Sequence, residues 1–458
     1  MKRNLFLMVT VVTAATAISS KAEESAIQSN FPPILMQDAP QEGAHPLGGP
    51  TLRFIMTANG ALAHTDRRLQ YHVSGEVPKT DTKYVEGPVA DISEFGNIHG
   101  AVAAGAKRGG LDLGVGIANQ NGLSFGELFV AGLPFGLEPD EYVSYLFDGG
   151  GLELQQELYD KHFDDRVLVM PIAITPTQGG GWFPEALPDP AVDPTLTPNA
   201  AMAELCMKPW IVRWPEPGAG IWRYACESIG LEADEIGASA RCKRPGTICP
   251  SSENPVVSDV NRLTFGGFVP GVPPHVFVET GNVDAYELNL PSTEVLMIRL
   301  ATEQTDLGNN DADLRSIIEA APYYYGQTWH QPVTYIELLI NKEFWATLSP
   351  AEQWAIRIAA ESSTLRSWTA ALDRQGEAIE TLKRSGAKVG RWPDALLGVL
   401  RRATGRFLER KALSLQRNGD PDYLRVLQHM RVYQHKQRIF SDFGDINQGR
   451  AALPTTPN

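Results

Sequence analysis

The sequence has little positive charge, few cysteines and no long apolar segment. Its 458 residues include 54 acidic side chains against 40 lysines and arginines, which gives a formal net charge of −14. A chain that neutralises phosphates needs a surplus of basic side chains. We therefore do not expect nucleic acid or an anionic membrane surface as a partner, and binding of a small anion would require a local positive group.

The clearest apolar run lies at the N-terminus and is too short to cross a membrane. Residues 5–17 are apolar or small and follow Lys2 and Arg3. Because a spanning helix needs about 20 apolar residues, this layout is typical of a cleaved secretory signal peptide. We predict a signal peptide over residues 1–22, a flexible leader over 23–50, and a periplasmic protein without a membrane helix.

Catalytic motifs are missing as well. The sequence has no H-E-x-x-H, no G-x-S-x-G and no P-loop, and its stretch "GVGIAN" lacks the third glycine of a dinucleotide fingerprint. Its nine histidines are scattered, with no two at metal-ligand spacing on a helix. The residues alone therefore indicate neither an enzyme nor an organic cofactor.

Only four cysteines are present: Cys206, Cys226, Cys242 and Cys249. Their spacing contains no C-x2-C pair, which disfavours a zinc site. In an oxidising compartment disulfides are expected instead. Four cysteines allow three pairings, and proximity along the chain favours Cys206–Cys226 together with Cys242–Cys249.

Short apolar segments alternate with helical patterns through most of the chain. We interpret Leu52–Ala58 and Leu111–Ala118 as strands, and Asp165–Thr175 has the near-continuous apolar character of a parallel strand buried on both faces. Alternating strands and helices predict an α/β fold with crossover helices. Two Pro-containing stretches, about 184–207 and 233–263, are predicted to be loop-like insertions.

A long helix is predicted in the last third of the chain. Ser349 and Glu352 have the spacing of a capping box, with Pro350 at the first helical position. The helical pattern that follows predicts a helix over 349–385. At 1.5 Å per residue this helix is roughly 50 Å long, which is more than one small domain requires.

Three polar side chains stand at the ends of predicted strands. Arg213 follows the apolar stretch "WIV", Gln178 follows "PIAITPT", and Glu287 ends the short strand "VDAY". In open α/β sheets, ligands bind outside the carboxyl ends of the strands. Arginine can hold a carboxylate there through two parallel N–H bonds, and carboxylate and amide oxygens bind hard cations.

Each of these residues also has a purely structural interpretation. Arg213 and Glu287 would suit ion-paired strand ends, and Gln178 would suit an ordinary loop. The aromatic run Tyr323–His330 would suit core packing. Taken one at a time, the residues favour these structural interpretations over a ligand site.

Five stretches occur in an order that resembles a known family. They are "AGLPFGLEPDEY", "TPTQGGGWF", "VRWPEPGAG", "ETGNVDAYE" and "YYYGQTWHQPVTYIELL". In this order they resemble the DctP-type solute-binding proteins of TRAP (tripartite ATP-independent periplasmic) transporters. The likeness is to the branch that binds 2-oxo and 2-hydroxy monocarboxylates such as pyruvate or lactate. It covers roughly residues 95–187, 208–230 and 266–440.

The resemblance implies a two-lobed periplasmic-binding-protein architecture with a hinge, crossed by the long helix. It assigns residues 51–175 to lobe I, with part of 295–345 returning to it, and 176–294 to lobe II with its two insertions. It implies a receptor rather than an enzyme, working with the membrane subunits of a transporter. Helices within 393–440, ahead of a tail over 441–458, would allow a homodimer.

The resemblance also implies roles for the residues at the strand ends. Arg213 would pair with the substrate carboxylate, while Gln178, Glu287 and the backbone oxygen of Leu288 would hold a calcium or sodium ion that also contacts the substrate. The family usually has tryptophan at the position of Leu288, so the identity of the ligand stays open. The expected wall and further contacts of the ligand cleft are Phe135, Trp182, Trp329, His330 and the amide of Gln178.

Two functions of other kinds stay open from the sequence. An exported hydrolase on the same lobes would use Glu287 and a metal ion to activate water, and it would show turnover. A sensing protein derived from such a receptor would bind solute without taking part in transport.

Overall fold

The structure is a computed structural model in which residues 34–38, 48–64, 69–72, 97–231, 234–235, 263–266, 283–287, 289–295, 317–326 and 328–444 are described. The strands form two sheets and are β1 (Ile34–Asp38), β2 (Leu69–His72), β3 (Leu113–Gly116), β4 (Val167–Thr175), β5 (Trp182–Phe183), β6 (Ile211–Arg213), β7 (Asp234–Glu235), β8 (Thr264–Gly266), β9 (Ala285–Tyr286), β10 (Tyr323–Gly326), β11 (Thr334–Asn341) and β12 (Lys388–Arg391). The helices that frame them are α1 (Gly48–Ala61), α2 (Ile98–Ala104), α3 (Gly126–Ala131), α4 (Pro139–Phe147), α5 (Gly151–His162), α6 (Pro198–Cys206), α7 (Gly218–Ser228), α8 (Lys342–Trp345), α9 (Pro350–Arg384), α10 (Asp394–Arg417) and α11 (Asp422–Gly444).

The first sheet has the strand order β2-β1-β3-β11-β4. Strands β1, β2 and β3 run parallel, whereas β11 runs antiparallel to β3 and β4. The side chains of β4 divide between two cores: Val169 and Ile174 pack in one, and Met170 and Ile172 in the other. Helices therefore cover both faces of this sheet.

The predicted parallel pairing of the strand within residues 165–175 is wrong, although the strand runs in the same direction as β1, β2 and β3. Among the described strands, β4 lies at the edge of the first sheet and pairs with β11 in antiparallel orientation. Its apolar run follows from burial on both faces, which a strand of either direction can have when helices pack above and below it.

Two predictions near the N-terminus are also wrong. Residues 34–38 were predicted to belong to a flexible leader, but they form β1 within the first sheet. The segment Leu52–Ala58 was predicted to be a strand, but it lies in α1. Phe54, Ile55 and Ala58 are buried and have the helical spacing i, i+1 and i+4, which places them on one face of α1. Leu62, in the short 3-10 helix that follows, continues this buried face.

The second sheet has the strand order β12-β10-β5-β9-β6-β8-β7. Strand β6 runs parallel to β8 and β9, whereas β5 runs antiparallel to β9 and β10. The core on this sheet is rich in tryptophan, with Trp210, Trp222 and Trp392 packed around Phe183. This aromatic core supports the segments that carry the candidate site.

The predicted insertion at 184–207 is partly an ordered element of this core. Helix α6 begins after Thr197, whose side chain caps it, and it buries Met202 and Leu205. The Cys206–Cys226 disulfide joins α6 to α7 and confirms the predicted pairing. Cys242 and Cys249 lie outside the described residues, as does nearly all of the predicted insertion at 233–263.

The long helix α9 crosses both lobes, as predicted. Ser349 and Glu352 form the predicted capping box at its start. Near its N-terminus, Ile356 packs in the core of the first sheet, whereas Leu382 near its C-terminus packs against the second sheet. The protein therefore has a two-lobed α/β fold, in which the chain crosses between the lobes several times.

The C-terminal helices extend further than predicted. Helix α11 continues to Gly444, beyond the predicted limit at residue 440, and the rest of the predicted tail lies outside the described residues. Within the described ranges, none of the helices combines the length and the apolarity of a membrane span.

Candidate functional site

Two crossings between the sheets run side by side. One leads from β4 to β5 and carries Gln178, and the other leads from β10 to β11 and carries Thr328 and His330. The Thr328 amide donates to the Gln178 carbonyl oxygen over 3.1 Å, and the Gln178 side-chain amide donates to the Thr334 hydroxyl over 2.9 Å. Gln178 is therefore fixed at the junction of the lobes.

Arg213 and Glu287 lie next to each other because their strands are parallel. Strands β6 and β9 pair with Arg213 opposite Tyr286, so both strands end at the same edge of the second sheet. The Arg213 guanidinium donates to the Glu287 carbonyl oxygen, and its Nη1 lies 3.4 Å from Glu287 Oε2. This contact fits the structural interpretation of both residues as ion-paired strand ends, and it also places both at the carboxyl ends of strands, where ligands bind in open α/β sheets.

His330 faces the same carboxylate from the second crossing. Its Nε2 lies 3.5 Å from Glu287 Oε2, while its Nδ1 contacts the Thr328 hydroxyl. Both Glu287 and His330 are almost completely buried. The site therefore joins an arginine, a glutamate and a histidine in a place that excludes most water.

Five of the ten buried side-chain polar atoms that have no hydrogen-bond partner among the described residues belong to this group. The acceptors are Gln178 Oε1 and Glu287 Oε1, and the nitrogens are His330 Nε2, Trp214 Nε1 and Trp329 Nε1. The rings of Trp214 and Trp329 lie 5.0 Å and 5.5 Å from the His330 ring, centroid to centroid. Because buried polar groups normally have partners, these five atoms indicate a place that receives both an acceptor and a cation or donor.

The charge of Arg213 is set by opposing influences. Burial lowers the pKa of the Arg213 guanidinium, whereas the nearby Glu287 and Glu294 oppose that change. Arginine stays protonated in proteins at neutral pH even when its pKa falls. A cationic side chain thus stands at the edge of the second sheet, beside Glu287.

The residues predicted to form the wall of the ligand cleft do not all lie beside His330. Phe135 stacks on Trp329 at 5.6 Å between ring centroids, and its amide donates to the Trp329 carbonyl over 2.9 Å. Trp182 is fully buried, and its indole N–H donates to Glu294 over 2.8 Å. Phe135 and Trp329 therefore lie with the His330 group, while Trp182 lies in the layer behind it. Leu288 lies outside the described residues.

Glu294 is a further acid of the site that the sequence did not reveal. It is almost completely buried, and its two carboxylate oxygens accept from the Trp182 indole and from the Asn289 amide. Burial, reinforced by Glu287, raises the pKa of Glu294 to about 8 although these hydrogen bonds and Arg213 act in the opposite direction. No spacing or motif in the sequence distinguishes Glu294 from the surface acids of the chain. Its burial beside the site is therefore recognised only from the fold.

The pH dependence of stability should report on Glu294. Its raised pKa means that the folded state holds a proton that the unfolded state releases near pH 4.5, so stability is lost as the pH rises towards about 8. A single group of this kind contributes a slope of up to about 1.4 kcal/mol per pH unit. Urea unfolding of the wild type and of Glu294→Gln between pH 5 and 8, with chelator, should show a steeper loss in the wild type. Parallel profiles would contradict the prediction.

No protein-family model matches the sequence, and no curated protein is significantly similar to it. Solved structures, however, share its fold. A TRAP periplasmic solute-binding protein from Pseudoalteromonas atlantica T6c, with bound sodium and pyruvate, matches at a TM-score of 0.61 and 17% identity over 90% of this chain and 97% of that one. One from Colwellia psychrerythraea, with bound calcium and pyruvate, matches at 0.60 and 18% over the same shares.

A third solved structure has a different ligand. The TRAP transporter solute-binding protein of Bordetella bronchiseptica RB50, described as a mixed-occupancy dimer with copurified calcium and picolinate in its site, matches at a TM-score of 0.61 and 17% identity over 91% of this chain and 95% of that one. The chain thus has the architecture of a two-lobed ligand-binding protein. Its fold is that of the TRAP periplasmic solute-binding proteins.

Proposed function

We propose that the protein is an extracytoplasmic solute receptor of a TRAP-type secondary transporter and binds a small monocarboxylate between its lobes. The observation that carries this proposal is the pairing of unsatisfied buried acceptors with unsatisfied buried N–H groups around Arg213, Glu287 and His330. An organic anion suits the N–H groups and the guanidinium. A cation suits the oxygens.

Arg213 is the residue that we assign to the ligand carboxylate. Its guanidinium lies at the shared end of β6 and β9 and keeps part of its surface accessible, with 16% of the side chain exposed. A 2-oxo or 2-hydroxy acid such as pyruvate or lactate would place its carboxylate there. Phe135, Trp329 and His330 would surround the rest of the ligand, and Trp182 would support them from behind.

Gln178 and Glu287 fit a hard cation. Each has one buried side-chain oxygen with no hydrogen-bond partner among the described residues, and amide and carboxylate oxygens are typical ligands of calcium and sodium. We propose that Leu288 adds its backbone oxygen. When bound, the ion would offset the charge of Glu287 and offer coordination positions to oxygens of the ligand.

Location and partners follow from the same proposal. The predicted signal peptide over residues 1–22 would bring the chain to the periplasm, where the closed receptor would meet the membrane subunits of the transporter.

A homodimer through the C-terminal helices has support from two exposed apolar side chains on one face of α11, Val432 and Ile439. The solved relatives with this fold are binding proteins, which supports a role without catalysis.

A thermal-shift screen tests the proposed function. Purified residues 23–458 would be heated with pyruvate, lactate and longer 2-oxo acids, each with calcium and with chelator. A ligand at a hundred times its dissociation constant adds about 2.7 kcal/mol of stability, so we expect a clear rise in Tm with a 2-oxo or 2-hydroxy acid that chelation reduces.

Two controls make the screen decisive. Acetate lacks the oxygen on the second carbon and should shift Tm much less than pyruvate. Recovery of the ligand unchanged after incubation is expected of a receptor, whereas its conversion would favour the hydrolase. Absence of a shift with every carboxylate would contradict the proposed function.

A further inference from the structure

We infer that Glu294 is a positioning residue for the cation site: it holds the segment that carries Gln178 and the segment that carries Glu287 in one fixed arrangement. This inference rests on the proposed function. Glu294 itself is not among the expected ligands, and its two oxygens are already engaged by N–H donors.

The two hydrogen bonds of Glu294 reach different parts of the chain. Its Oε2 accepts from the indole of Trp182 over 2.8 Å, and Trp182 begins β5 four residues after Gln178. Its Oε1 accepts from the amide of Asn289 over 3.1 Å, two residues after Glu287. One carboxylate therefore connects both ligand-bearing segments.

A third bond closes the connection. The amide of Gly179 donates to the carbonyl of Asn289 over 2.9 Å, so the segments are joined directly next to Gln178. The backbone of Gly179 also packs closely against Tyr324, because a Cβ atom on Gly179 would lie 2.1 Å from the Tyr324 hydroxyl. The position of Gln178 relative to Glu287 is thus coupled to the bonds that Glu294 makes.

The two oxygens of the Glu294 carboxyl group are both used in this arrangement. Each of them accepts a hydrogen bond from a different N–H donor, the Trp182 indole or the Asn289 backbone amide. A glutamine of the same shape would turn an N–H towards either Trp182 or Asn289 and lose one bond. Residues that orient metal ligands from behind typically change metal affinity by about 10–100-fold when replaced.

The experiment is calorimetric titration of calcium into the full chain, with no organic ligand present. We expect Glu294→Gln to bind calcium about 10–100-fold more weakly than the wild type. Trp182→Phe, which removes the indole N–H together with part of the buried ring, should weaken binding in the same direction by a smaller factor. Glu380→Gln, on the exposed face of α9, is the matched control and should bind like the wild type.

The outcomes separate this inference from the proposed function. If the wild type binds neither calcium nor, in a parallel titration, sodium, the cation part of the proposed function fails. If the wild type binds calcium and both Glu294→Gln and Trp182→Phe bind it equally well, the positioning role is wrong. If Glu294 had only a structural role, Glu294→Gln would have a lower Tm in the presence of chelator. Its calcium affinity, measured well below that Tm, would equal that of the wild type. Should Glu294→Gln fail to fold, unchanged affinity of Trp182→Phe would overturn the inference alone.

Discussion

Replacing Arg213 by alanine is expected to abolish carboxylate binding while the protein stays folded. Arg213 lies beside Glu287 at the ends of β6 and β9, where burial strengthens its attraction for an anion. Truncation of one member of a buried charge pair costs about 2–5 kcal/mol of binding free energy, which is roughly 30- to 5000-fold in affinity. Calorimetry with pyruvate, or with the best acid from the thermal-shift screen, measures the loss.

Two further variants show whether the loss belongs to this site. Arg223→Ala removes an arginine of the same lobe that pairs with Glu216, and it should bind like the wild type. Arg213→Lys keeps the charge but not the two parallel N–H bonds, and it should recover only part of the affinity. Folding is expected to survive in Arg213→Ala because His330 still faces the Glu287 carboxylate. Unchanged affinity in Arg213→Ala would remove Arg213 from the site.

The pairing of Arg213 with Glu287 could be anticipated because it depends on strands alone. Both residues follow short apolar segments, and parallel strands of one sheet bring their carboxyl ends to the same edge. The capping box at Ser349 could be predicted equally well, since it depends on a local pattern of residues. Local and strand-end features of this kind need no knowledge of tertiary packing.

Other parts of the fold could not be anticipated from pattern. The sequence of β4 is apolar because the strand is buried on two faces. Burial on two faces is compatible with either a parallel or an antiparallel neighbouring strand. The segment at Phe54 and Ile55 is too short for its period to separate helix from strand. In both places the neighbours in space, which the sequence does not display, decide the structure.

Glu294 shows the corresponding limit within the site. Its importance comes from burial and from two donors that are distant along the chain, the Trp182 indole and the Asn289 amide. An acidic residue in sequence looks the same whether it is solvated or buried, and acids are usually exposed. The ligands of a site are therefore easier to predict than the residues that orient them.

Replacing Glu287 by glutamine is expected to remove the effect of calcium or sodium on ligand binding. Among the residues proposed to hold the cation, Glu287 alone is charged, whereas Gln178 and the backbone oxygen of Leu288 are neutral. Glutamine preserves the shape and one acceptor oxygen but removes the charge that a hard cation requires. Thermal shifts with and without chelator should then coincide in the variant, while in the wild type chelation reduces the ligand-induced shift.

The matched control for this prediction is another buried glutamate. Glu337, in the first sheet, is completely buried and bonds His99, Gln155 and Tyr159. Glu337→Gln should lower stability yet keep the calcium effect, because its carboxylate lies in the core of the other lobe. A wild type that ignores chelation would contradict the cation site. A calcium effect that persists in Glu287→Gln would instead show that oxygens other than those of Glu287 bind the cation. Arg213 would then bind the ligand carboxylate at a place where the neighbouring Glu287 is not a metal ligand.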